Sequence, residues 1–93
     1  MDISVVIPAY RSAHLVGRAI RSALDEGVDP HDIIVVEDGA MDDTADVVAS
    51  FRGTRLVSLD SNGGAPHARN VGLTQVGTSH VMFLDADDFV EAA

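Results

Sequence analysis

Val81-Met82-Phe83-Leu84-Asp85-Ala86-Asp87-Asp88 joins four apolar residues to three carboxylates within four positions. A continuous apolar run with a polar boundary is the pattern of a strand buried on both faces. The acids then fall at the strand's carboxyl end, where open α/β sheets bind their ligands. Like charges this close repel unless a cation lies among them. A hard divalent cation, Mg2+ or Mn2+, prefers oxygen ligands and bridges one or two carboxylates to a phosphate. Taken alone, the cluster reads equally well as a solvated loop after a core strand.

The same pattern recurs upstream. Ile33-Ile34-Val35-Val36 is apolar throughout and runs into Glu37-Asp38-Gly39. Asp42 and Asp43 are placed to cap the helix that follows, near Thr44 to Phe51. That leaves Glu37 and Asp38 without an evident structural role, so a ligand hydroxyl or base N–H is the expected partner. The first strand is Ile3-Ser4-Val5-Val6-Ile7, stopped by Pro8. Tyr10, just beyond it, is placed to stack on a base. Leu56-Val57-Ser58-Leu59 alternates like an edge strand.

Between the strands lie helical patterns. Leu15, Val16, Ala19, Ile20, Ala23 and Leu24 form one apolar stripe, with Ser12 as the expected cap and Gly27 as the stop. Pro66 suits the first turn of a third helix. Ala68, Gly72 and Val76 share a face there, Gly72 permits close approach to a sheet, and Gly77 is the expected end. The glycines at 63 and 64 feed this helix, with Arg69 one turn in, an arrangement suited to receiving a phosphate. It is neither a P-loop nor a G-x-G-x-x-G fingerprint.

The order β-α-β-α-β-α-β predicts an α/β chain: a three-layer α/β/α sandwich on a mainly parallel sheet, half of a doubly wound fold. Ninety-three residues make one small domain. It is expected to be truncated before a second half, because nothing in it covers the far side of the last strand. Such an uncovered edge invites self-association. Fifteen acids against six bases give a formal charge of −9, which disfavours nucleic acid and anionic membrane as partners. Cysteine is absent, so neither disulfides nor thiolate metal sites exist. The N-terminus lacks a basic segment before its apolar run, and no run approaches the ~20 residues of a membrane span, so a cytoplasmic chain is expected.

Four segments taken in order are more specific than any one. They are Ser4-Val5-Val6-Ile7-Pro8-Ala9-Tyr10, then Ile34-Val35-Val36-Glu37-Asp38-Gly39, then Asn62-Gly63-Gly64 with Ala68-Arg69-Asn70-Val71-Gly72, and last Phe83-Leu84-Asp85-Ala86-Asp87-Asp88. Together they resemble the N-terminal half of a family 2 glycosyltransferase with the Rossmann-like GT-A fold. The resemblance implies an inverting enzyme that binds a nucleotide-diphospho-sugar, most often UDP-linked, with Mn2+ or Mg2+. It implies that Pro8 and Tyr10 line the nucleotide pocket with Glu37 and Ala86. Asp38 would pair with uracil and Arg69 would lie near the diphosphate. Asp85 and Asp87 match the family's D-x-D, with Asp87 on the metal and Asp85 on the ribose or on metal-bound water. The acceptor, whether glycan, lipid or protein, stays open, and the catalytic base is expected beyond Ala93. Two departures stand out: Ala40-Met41 where the family usually has hydroxyl residues, and Arg11 in place of a frequent Asn.

Three other readings share parts of this pattern. A phosphoacceptor receiver domain would need a lysine, and the chain has none. A nucleotidyltransferase usually has a basic glycine-rich loop after its first strand, unlike Pro8-Ala9-Tyr10-Arg11. A noncatalytic interaction module finds support only in Ala40-Met41.

Overall fold

The structure, a computed structural model, describes residues 2–37, 39, 43–59 and 65–85. The elements are β1 (Ile3–Ala9), α1 (Ala13–Asp25), a short 3-10 turn (Pro30–Asp32), β2 (Ile33–Glu37), α2 (Thr44–Ala49), β3 (Arg55–Ser58), α3 (Ala65–Leu73) and β4 (His80–Phe83). All strand pairs are parallel and the order across the sheet is β3-β2-β1-β4.

The period-two alternation of a strand sorts the side chains into two cores. Val5, Ile7, Ile33 and Val35 face α1 and α2, where they meet Val16, Ala19, Ile20, Ala23 and Val48. Val6, Ile34 and Val36 face the other way, against Ala68 of α3. The three-layer arrangement follows. Each central strand is buried on both faces because each face has its own helical cover.

The apolar stripe of α1 is buried at Val16, Ala19, Ile20 and Ala23. Ile20 is wholly enclosed, so Ile20→Val will cost about 1 kcal/mol through one lost methyl. A urea titration of both chains measures it as a lower midpoint at unchanged slope. Glu26 closes α1, and Gly27 beyond it takes φ 92° as a left-handed terminator.

Several local expectations are corrected. β1 does not stop at Ile7 but continues through Pro8, which pairs with Val36 in register. The Leu84 N–H donates to the Val6 carbonyl at 2.9 Å, so Val6 turns its polar groups toward β4. Pro8, two residues on, turns the same way, beyond the last β1–β4 pair at Val6 and Phe83. Its missing N–H therefore forfeits no ladder bond. The Ser12 side chain does not cap α1, and Asp43 makes no side-chain cap on α2. α3 ends at Leu73 rather than at Gly77.

The reading of residues 81–84 as a strand buried on both faces also changes. Among the described residues β4 pairs with β1 alone and is an edge strand. α3 packs chiefly on β1 and β2; Val81 of β4 reaches the edge of that core, while Phe83 is 39% exposed. At the opposite end of the sheet, the Asp2 carboxylate accepts from the Ser79 N–H at 3.2 Å. Hydrogen bonding from Ser79, from its side chain first and its backbone N–H second, holds Asp2 below the ordinary carboxylate value of 3.8, and the contact ties the start of β1 to the start of β4.

Candidate functional site at the carboxyl edge of the sheet

A parallel sheet gathers all its strand ends on one edge. From β1 the chain steps to β2 and β3 on one side, through α1 and α2, and reaches β4 on the other side through α3. The strand order thus reverses between β1 and β4, and ligands of open α/β sheets bind in the crevice at such a point. The β1–β4 ladder ends at Val6 and Phe83 while β1 runs on to Ala9. Such a crevice would lie between Pro8-Ala9-Tyr10 and Leu84-Asp85.

The expected site residues fall around it as follows. Pro8 is buried within β1. Tyr10, at the exit of β1, is 40% exposed. Its ring lies under the Arg11 guanidinium, 5.2 Å from carbon to centroid. The Ser12 hydroxyl donates to the Tyr10 carbonyl at 2.8 Å, which fixes the turn. Arg69, on α3, sits with one guanidinium nitrogen 3.6 Å from the Asp85 carboxylate. That contact brings together two residues that the sequence placed in separate segments. Asp38, Ala86 and Asp87 lie outside the described residues, so their expected roles are not tested by the geometry.

Glu37 has a structural partner that the sequence did not suggest. The Ser58 hydroxyl donates to its carboxylate at 3.1 Å, and Glu37 and Ser58 are partners in the β2–β3 register. Its side chain therefore has a structural role, tied toward β3 on the side of β2 away from the crevice. The register pairing of two strands that both end in polar residues is the signal that would have found it. Arg11 was not expected at the site. Its φ of 52° is the only positive value at a described residue other than glycine, and the frequent Asn of the resembled family at this position was the available hint, since Asn tolerates that region.

No three His, Cys, Asp or Glu side chains come together among the described residues. Magnesium-type ions nevertheless use only one or two carboxylates, with water and phosphate completing the shell. Asp85 fits that chemistry: a hard oxygen donor, half exposed, at the mouth of the crevice. Arg69 beside it offers a fork-shaped donor to an anionic oxygen. The arrangement suits a phosphate-bearing ligand that arrives with a cation. Among the described residues no helix is long and apolar enough to cross a membrane.

Comparison with known proteins agrees with this reading. The model of glycosyl transferase family 2 matches residues 4–92. A succinoglycan biosynthesis protein, ExoO, of Rhizobium meliloti is 40% identical over 92 residues, covering 96% of this chain and 26% of that protein. The Escherichia coli UDP-Glc:alpha-D-GlcNAc-diphosphoundecaprenol beta-1,3-glucosyltransferase WfaP is 30% identical, covering 94% of this chain and 36% of that one. Among solved structures, Staphylococcus aureus TarS 1-349 in complex with UDP-GlcNAc superposes with a TM-score of 0.86 at 29% identity, over 98% of this chain and 28% of that one. This chain therefore spans only about a quarter to a third of the proteins it resembles. Its strand order, the reversal of that order between β1 and β4 and a family match over nearly all its residues lead to one assignment: the chain belongs to glycosyl transferase family 2.

Proposed function

We propose that this chain is the donor-binding part of an inverting glycosyltransferase. It takes a nucleotide-diphospho-sugar, a UDP-sugar in our reading, and transfers the sugar to an acceptor hydroxyl. The observation that carries the reading is the Arg69–Asp85 contact of 3.6 Å at the switch point, where a cation-binding acid and a phosphate-binding base meet. The UDP-GlcNAc complex of TarS and the UDP-Glc donor in the name of WfaP support the choice of nucleotide.

In this reading Tyr10 stacks on the base, Asp38 pairs with it, and Pro8 forms the pocket wall. Arg69 takes a diphosphate oxygen. Asp85 and Asp87 hold a divalent cation, Mn2+ or Mg2+, which when bound neutralises charge on the departing diphosphate. During transfer an acceptor oxygen bonds to the anomeric carbon as the bond to diphosphate breaks, and the acceptor proton goes to a base. No residue of this chain is assigned as that base. Among the described residues β4 has one neighbour, and its other edge is where a second copy would add, against the repulsion of −9 charges on each.

A nucleotide titration tests the reading. Tyr10 is the only tyrosine and tryptophan is absent, so tyrosine ring resonances report from the site itself. UDP added with Mg2+, which is diamagnetic, will shift the Tyr10 ring protons and the Arg69 amide, and CMP at the same concentration will shift them far less. A folded chain whose Tyr10 and Arg69 signals stay fixed would mark a noncatalytic module instead.

A further inference from the structure

The turn after β1 holds three features that the fold does not require. Arg11 takes φ 52°, a region that crowds Cβ against the neighbouring carbonyl and that glycine or asparagine fills with less strain. Ser12 donates its hydroxyl back to the Tyr10 carbonyl at 2.8 Å, leaving the first turn of α1 without a side-chain cap. The Arg11 guanidinium then lies 5.2 Å from the centre of the Tyr10 ring, within cation–π range.

Arg11 is exposed, and its guanidinium makes no ion pair among the described residues, although acids outnumber bases fifteen to six. Among the described residues the guanidinium thus lies on a ring and not on a carboxylate, and the unusual φ of the same residue accompanies that placement. Strained residues persist where their surroundings over-determine them, and they gather at ligand sites.

We propose that Arg11 is a positioning residue of the donor site. Its guanidinium holds the Tyr10 ring in one orientation at the mouth of the β1–β4 crevice, so that a nucleobase meets a ring already in place. The proposal rests on the donor-site reading above. An exposed tyrosine otherwise samples several rotamers, and stacking must freeze them; a ring held beforehand loses less freedom on binding. Arginine suits this role because its flat guanidinium stacks on an aromatic face, whereas lysine offers only a point charge.

The test compares the 93-residue chain with its Arg11→Asn and Arg11→Lys variants. The single tyrosine makes the near-UV circular dichroism band a signature of the Tyr10 environment. Arg11→Asn relieves the backbone and will raise Tm by about 4 °C. It will also diminish the tyrosine band and weaken UDP binding in the presence of Mn2+ about fivefold. Arg11→Lys will retain part of the band and part of the affinity. Stability and affinity moving in opposite directions is the expected result. An Arg11→Asn chain that is more stable, with band and affinity both unchanged, would overturn the proposal, because the residue would then serve the turn alone. A wild-type chain that binds no UDP, but whose band is lost in Arg11→Asn, would uphold the grip of Arg11 on Tyr10 and remove the donor reading instead.

Discussion

Gly72→Ala will destabilise the chain by about 3 kcal/mol or more, despite placing a better helix former in the last turn of α3. Propensity alone would favour alanine by about 1 kcal/mol. Packing opposes it. A Cβ at position 72 would collide with Cγ1 of Val6 and would stand 3.2 Å from Cγ2 of Val36 and 3.3 Å from Cγ2 of Val6. Both valines are fully buried on central strands, so neither can move aside without shifting the sheet. Rotating Val6 about χ1 moves its methyls into neighbours that already enclose it on every side. α3 must therefore lift from β1 and β2, opening the core of Val6, Ile34, Val36 and Ala68. Arg69 lies three residues earlier on the same helix, so UDP binding will fall with stability. Gly77 supplies the control, since nothing lies within 4 Å of a Cβ built there. Gly77→Ala will stay within about 0.5 kcal/mol of wild type. Urea midpoints of the two variants measure the contrast, and equal losses would refute the packing account.

The Gly72 contact was legible in the sequence, as were the parallel sheet, the helices on both faces and the stripe of α1. All of these follow from apolar periodicity, which a chain displays whatever its tertiary surroundings. Local patterns mislead where a neighbour decides. Pro8 breaks a strand only if its N–H is needed, and that depends on β4 ending early at Phe83. Residues 81–84 are apolar enough for a central strand, yet among the described residues β4 has a single neighbour. Ser12 has the chemistry of a helix cap, but the Tyr10 carbonyl takes its hydroxyl. At the site the strand-end acids and Arg69 could be named one by one, because carboxyl ends of strands can be read from order alone. That Arg69 meets Asp85, 16 positions on, and that Glu37 is engaged by Ser58, 21 positions on, depends on how separate segments are placed against one another, which no local pattern encodes.

Asp85→Ala will change UDP affinity in opposite directions with and without metal. With Mn2+ the variant will bind at least tenfold more weakly if, as proposed above, Asp85 holds the cation directly or through its water. Without metal it will bind UDP about twofold to threefold more tightly than wild type. The reason lies in the contact of 3.6 Å between Arg69 and Asp85, whose side chains are 38% and 51% exposed. An ion pair that open to solvent is worth about 0.2–1 kcal/mol, which converts to a factor of about 1.4 to 5 in a competing equilibrium. In the metal-free chain Arg69 must leave Asp85 before it can take a diphosphate oxygen, and the carboxylate repels the incoming anion. Removing Asp85 lifts both penalties. Arg69→Gln will weaken UDP under either condition, and the double variant will lose the metal-free gain, because the guanidinium that produced it is absent. Isothermal titrations of the four chains with and without Mn2+ decide the matter. A metal-free affinity that falls in Asp85→Ala would mean that this carboxylate contacts the nucleotide itself, as a ribose partner would, and that Arg69 is not held back by it. A loss with Mn2+ and a gain without it would instead make the pair a resting contact, in which the base that receives the diphosphate is parked on the acid that receives the cation.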